Sequence, residues 1–337
     1  MYVETYGNAP VRALTSASKT FFLQPPAGFA DQPLLTPRGA LIVGDEAQRA
    51  HLRRQLRELR ALVPSVTWWE SEQILRCVPV LRPEQAACAI YEPDAMDMDV
   101  HAIHQGFLRG ARAHGAQLVC NAEVAGLQRL GAHWQVDTPQ GSWRAAVVVN
   151  AAGAWCDAVA VLAGVAPVGL QPMRRTAFTF DAPADMDTRH WPLVIDAQEL
   201  FYFKPDAGVL LGSPANADPV PPQDVQPDEL DVAIGVDRLQ QATTLPIARL
   251  RNRWAGLRSF VADKTPVCGM EAHVDSFFWL AGQGGYGIQT APALGQLTTA
   301  LLLNQPLPPE LVRCGVEAAQ FAPGRFNPKG CSGSERC

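Results

Sequence analysis

Three stretches of this chain combine residue types that could do chemistry. An apolar run, Phe277 to Ala281, empties into Gly282-Gln-Gly-Gly285-Tyr-Gly287, after which the pattern turns helical. Glycines there let the backbone approach a ligand closely, and the helix start aims its partial positive charge at it. A second run, Ala145 to Val149, ends in Asn150-Ala-Ala-Gly153-Ala-Trp155 and predicts a helix through Leu162. A strand that turns through glycine into a helix sets backbone N–H groups at the C-terminal edge of a sheet, a common place for a cofactor. The third stretch is Trp254-Ala-Gly-Leu-Arg258, read as part of an apolar strand running to Phe260. An unpaired charge inside such a strand is costly, and a planar guanidinium fork suits a carboxylate.

Elements must position these stretches. From Glu46 to Val63, Leu52, Leu56, Leu59 and Val63 recur at helical spacing with arginines elsewhere on the wheel, which predicts an amphipathic helix with a solvated basic face. The acidic turn Glu92 to Asp99 leads to a helix over Val100–His114, with Asp97 or Asp99 as its N-cap. Strands are predicted over Gln117–Cys120, Val124–Leu130, Trp134–Thr138 and Trp143–Asn150. Within the last, Ala145 to Val149 reads as a strand buried on both faces of a parallel sheet. From Met173 to Leu211 short alternating strands, Thr176–Phe180 and Phe201–Lys204 among them, predict a mostly antiparallel sheet. Asp218 to Glu229 reads as a surface loop and Leu230 to Thr243 as a helix.

Composition narrows the classes. The 28 Lys and Arg against 33 Asp and Glu leave a charge of −5, without the basic stripe that nucleic acid requires. With 47% hydrophobic and 18% charged residues, the 337-residue chain is expected to fold nearly throughout, as two domains. The eight cysteines form no Cys-x-x-Cys pair, and His101 with His104 lacks a third ligand nearby, so no metal is expected. Free thiols in apolar runs and a start without a secretory pattern predict a cytoplasmic protein. The tract Ala145 to Leu170 reads as strand plus helix, not as a membrane span, because Asp157 stands within it.

Taken together, NAAGAW (150–155), WAGLRSFVAD (254–263) and QGGYGIQT (283–290) resemble the FAD-dependent amine and amino-acid oxidoreductases, the family of D-amino acid oxidase, glycine oxidase and sarcosine oxidase. VRALTSASKTFF (11–22), PPAGFADQPLLTPR (25–38), FYFKPDAG (201–208) and LLGSPANADPV (210–220) extend the resemblance from Tyr6 to Pro328, most closely toward the bacterial D-arginine dehydrogenases. It implies an α/β (α+β) fold, a Rossmann-like FAD-binding domain interleaved with an antiparallel-sheet substrate domain. By the same resemblance Arg175 and Arg258 bind a substrate carboxylate, with Tyr202 and Tyr6 beside them and Gly285 at the reacting centre. Arg174 and Arg175 are adjacent on a strand and point oppositely, and the resemblance selects Arg175. Val124, Gly153 and the run Gly284, Gly285, Tyr286, Gly287, Ile288 and Gln289 match positions that touch FAD, expected to be non-covalent. Cys268 does not match a flavin attachment site. The implied reaction is oxidation of the Cα–N bond of a D-amino acid by hydride transfer to flavin, giving an imino acid that hydrolyses to a 2-oxo acid and ammonia. A quinone or O2 would take the electrons.

Two departures bear on this. The acidic residue that favours cationic side chains has its counterpart at Ala40, with Leu193 and Ile195 nearby, so neutral, apolar D-amino acids are expected. The family's opening Gly-x-Gly-x-x-Gly unit is not found in the first hundred residues. The expected organisation is therefore a remnant of the FAD domain over 1–37, substrate-domain parts over 38–92 and 169–258, and FAD-domain parts over 93–168 and 259–328. A tail over 329–337 is expected to be disordered. The alternatives are an inactive, truncated member of the family and an oxidase of glycine- or sarcosine-type amines.

Overall fold

A computed structural model of the protein describes residues 1–326. The tail expected over 329–337 lies outside them. The chain separates into two compact units, one of Met1–Thr5, Pro33–Asp99 and Met173–Leu257, the other of Tyr6–Gln32, Val100–Pro172 and the chain from Arg258 onward.

The first unit is a mostly antiparallel sheet. Its strands run in the order Asp218–Pro219, Gln171–Phe180, Val209–Ser213, Tyr202–Asp206, Leu193–Asp196, Ala40–Gly44, Cys88–Glu92 and Thr67–Glu70, and Leu250–Phe260 also pairs with Gln171–Phe180. Ala40–Gly44 and Leu193–Asp196 are parallel neighbours. Alternation splits the apolar residues between two faces. On one, Leu41, Val43, Val194 and Phe203 pack with Leu239 of the helix Glu229–Ala242 and Ile74 of the helix Ser71–Cys77. On the other, the helix Arg49–Arg60 lays Leu52, Leu56 and Leu59 over Cys88 and Ile90, while Ala40, Leu193, Ile195 and Tyr202 form a separate cluster. Arg53 lies 3.7 Å above the Trp68 ring, so part of the helix's basic face rests on an aromatic.

The second unit holds two three-stranded sheets. Phe277–Ala281 is the middle of three strands, antiparallel to Val267–Met270 and parallel to Val148–Asn150. Helix Ala9–Leu23 packs on helix Gly287–Leu302 through Leu14, Ala17, Ala293, Leu294 and Leu297, with Phe278 of the sheet beneath. Asn8 caps the first of these helices, accepting from Val11 N–H at 3.2 Å. A second antiparallel sheet joins Gly126–Leu130, His133–Thr138 and Gly141–Ala145.

Several expectations change. Gln117–Cys120 forms no strand, and Leu118 and Val119 are exposed. The run Ala145–Val149 is not buried on both faces: Val148–Asn150 is an edge strand with a ladder on one side, leaving Val147 and Val149 exposed. Trp254 is exposed and Leu250–Phe260 only partly buried, because its ladder is to Gln171–Phe180 off the main path of the sheet. Of the two cap candidates before the helix Val100–Ala113, Asp97 pairs with Arg38 at 2.6 Å and Lys204 at 3.0 Å.

Candidate functional site

The turn after Phe277–Ala281 is set by side chains that leave its backbone bare. Gly284 has φ +54°, and a Cβ on it would lie 2.3 Å from Phe260 Cε1, so no other residue fits without displacing the ring. Its N–H donates to Ser259 O at 3.0 Å, and Gln283 Nε2 donates to Leu280 O at 3.0 Å. Tyr286 is buried, its hydroxyl donates to the Lys264 carbonyl, and its ring meets those of Tyr6 and Phe260 edge-on. Burial pushes that phenol far above its ordinary range, so it stays neutral. The helix Gly287–Leu302 then starts without a side-chain cap, which leaves first-turn N–H groups for something else.

Gly285 is where functional groups meet. A Cβ there would lie 3.0 Å from both Arg258 Nη1 and Tyr6 Oη. Both side chains are half-buried, and neither the guanidinium nor the phenol hydroxyl has a hydrogen-bond or ion-pair partner among the described residues. A cation and a hydroxyl left unmatched over a bare backbone are complementary to a small carboxylate.

The second glycine turn follows Val148–Asn150. Asn150 is buried and ties it, donating from Nδ2 to Cys156 O at 2.8 Å and accepting from Ala152 N–H at 3.4 Å. Gly153 takes φ +58°. Because Val148–Asn150 and Phe277–Ala281 are parallel, both turns leave the same edge of the sheet. Val124 is half-buried against the cluster around Trp134 and Cys156. Ile288 is exposed at the helix start, while Gln289 is buried and donates to Thr15 Oγ1 at 2.9 Å. Cys268 lies in the core beside Thr298, with its thiol pushed up to about 11 by burial, as expected of a packing residue.

In the sheet unit, Leu193 lies opposite Ala40 and Tyr202 opposite Ile195, so the four share one face. Arg175 Nε donates to Asn216 O at 2.5 Å. Arg174 turns elsewhere, to Asp231 at 3.0 Å and Asp218 at 3.5 Å. Sequence reasoning missed Phe260 and Lys264, which shape the turn, since their contacts are long-range. It also missed Glu92, whose only signal was a carboxylate closing the apolar strand Cys88–Glu92. Among the described residues no three His, Cys, Asp or Glu side chains gather as a metal site, and no helix is long and apolar enough to cross a membrane.

Residues 13–301 match DAO, the FAD dependent oxidoreductase family. The chain belongs to this family. FAD is the cofactor of its members, and the residues present fit the ring end of that group: Gly285 presents backbone without a side chain beside an uncapped helix start. The chain is 27% identical over 264 residues to mitochondrial dimethylglycine dehydrogenase of Mus musculus, covering 72% of this chain and 30% of that protein. It is 25% identical over 320 residues to FAD-dependent oxidoreductase domain-containing protein 1 of Bos taurus, covering 81% and 64%. The chain thus spans less than two thirds of either relative. L-proline dehydrogenase from P.horikoshii shares its fold, with a TM-score of 0.77, 19% identity, and coverage of 96% of this chain and 85% of that one. This family member is thus a mixed α/β protein of the FAD dependent oxidoreductase family.

Proposed function

We propose that this family member is a D-amino acid dehydrogenase acting on neutral, apolar side chains. The observation that carries the reading is the pair of unmatched groups, Arg258 and Tyr6, over the bare backbone of Gly285. Bound FAD supplies an acceptor for the hydride leaving Cα. The chain's own residues position the substrate. Arg258 holds the α-carboxylate in its fork, which fixes the direction of the Cα–H bond. Tyr6 lends a hydroxyl beside it, and the first-turn N–H groups from Gly287 favour negative charge at the helix start. On the sheet unit, the resemblance gives Arg175 and Tyr202 to the carboxylate, and Ala40, Leu193 and Ile195 to the side chain. Gly153 and Val124 are assigned to the cofactor through their backbone.

No base is required to remove a proton from Cα, because hydride departs once the amine is neutral. FAD is taken to be non-covalent, in keeping with the buried Cys268. The imino acid is released to water, and the electrons pass to a quinone or O2. The test is flavin absorbance of FAD-loaded protein under anaerobic titration with D-alanine, D-leucine, D-methionine and D-arginine, and with glycine, sarcosine and dimethylglycine. Bleaching by the neutral D-amino acids ahead of D-arginine is expected. Bleaching only by glycine, sarcosine or dimethylglycine would replace this reading with that of an amine oxidoreductase, which the relation to dimethylglycine dehydrogenase favours.

A further inference from the structure

Residues Met1–Thr5 run across the sheet face that carries Ala40. Tyr2 is wholly buried and exchanges two backbone hydrogen bonds with Met96, at 2.7 and 3.0 Å. Met1 and Val3 pack on the buried cluster of Ala40, Ala95 and Leu193, beside Ile195 and Tyr202, before the chain turns at Glu4 and Thr5. The other end of the segment is held by Glu92, which lies directly opposite Ala40 in the sheet.

Glu92 is 4% exposed, and both of its oxygens are taken by the segment: Oε1 accepts from Glu4 N–H at 2.9 Å and Oε2 from the Thr5 hydroxyl. No described cation pairs with it. Burial raises its carboxyl above the ordinary range, while the bonds from Thr5 and Glu4 oppose the rise. A buried carboxyl costs more than an apolar side chain of the same size unless hydrogen bonds satisfy it. What these bonds hold is the segment that walls Ala40, which is 3% exposed, and Leu193, which is 7% exposed.

We propose that Met1 and Val3, held down by Glu92 through Thr5, set how large a substrate side chain the Ala40 pocket takes. Short apolar side chains are favoured over long ones. The inference rests on the reading of Ala40, Leu193 and Ile195 as the side-chain pocket. In it Val3 is the limiting wall, and Glu92 and Thr5 are positioning residues.

The experiment compares kcat and KM for D-alanine and D-leucine in FAD-loaded protein, with hydrogen exchange measured over residues 1–10. Thr5→Val removes the hydroxyl donor at nearly constant shape, Glu92→Gln weakens the acceptor, and Val3→Ala cuts the wall back. Each is expected to raise the D-leucine to D-alanine ratio of kcat/KM by about tenfold, through KM and not kcat. Thr5→Val and Glu92→Gln combined should do no more than either alone, and Thr5→Ser should keep the unmodified ratio. Exchange over the segment should quicken in Thr5→Val and Glu92→Gln but not in Val3→Ala. A ratio that stays within about twofold of the unmodified protein in all three single variants overturns the proposal and leaves the functional reading standing. Loaded protein that oxidises no D-amino acid removes that reading, and the proposal with it.

Discussion

Arg258 and Tyr6 reach the same bare backbone from different parts of the chain, and each arrives with its polar group unmatched. Replacing Arg258 by Ala removes a charge-assisted contact of about 1.5–3 kcal/mol, so KM for a D-amino acid should rise about 10- to 100-fold. Flavin uptake should be kept, and steady-state kinetics beside a flavin titration check both. Gly285→Ala should likewise raise KM, because its Cβ would crowd Arg258 Nη1 and Tyr6 Oη at 3.0 Å. The two side-chain ends can move aside, so its thermal unfolding should stay close to that of the unmodified protein. Residue types alone marked Arg258, Gly284 and Gly285, since glycine before a helix and arginine in a strand are legible locally. Val3 and Glu92 were not legible, because their roles arise from one segment folding over another.

Among the elements, the helix Gly287–Leu302 carries Pro292 in its interior, where the ring disturbs the preceding turn. The next N–H, of Ala293, donates to Ser18 Oγ at 3.1 Å, so the helix Ala9–Leu23 makes good what the proline disturbs. Ser18→Ala removes that buried hydrogen bond and should cost about 0.5–1.5 kcal/mol, read by chemical denaturation. The edge strand Val148–Asn150 presents exposed Val149 beside an open ladder, a template for pairing with another chain. Val149→Lys should therefore lower any self-association seen by sedimentation velocity as concentration is raised. Strand and helix identities were largely legible from periodicity, from the helix Arg49–Arg60 to the antiparallel run after Met173. Which neighbour each strand would find was not, which is why Gln117–Cys120 and Ala145–Val149 depart from expectation.

For the molecule as a whole, burial of neutral acids should lower stability at alkaline pH. Cys268 and Cys156 are pushed by burial from 9.0 to about 11 and about 12. Their folded values lie above the unfolded one, so their contribution is whole below pH 9.0 and is lost as pH rises toward 11 to 12. Holding a thiol neutral through one further pH step is worth about 1.4 kcal/mol, so stability should fall by a few kcal/mol over that window. Melting temperatures at pH 8 and above pH 10 check this, and Cys268→Ala with Cys156→Ala should flatten the fall. The sequence by itself determined the family, the α/β character and the glycine turns, because these depend on local pattern and on motifs a few residues long. Only the tertiary structure decided that Arg258 and Tyr6 share Gly285, that the run before Asn150 is an edge, and that Glu92 holds Met1–Thr5 against Ala40. Those facts depend on contacts between residues far apart in the chain, such as the 88 positions that separate Glu4 from Glu92. No local periodicity records such a contact, because it is set by how whole elements pack.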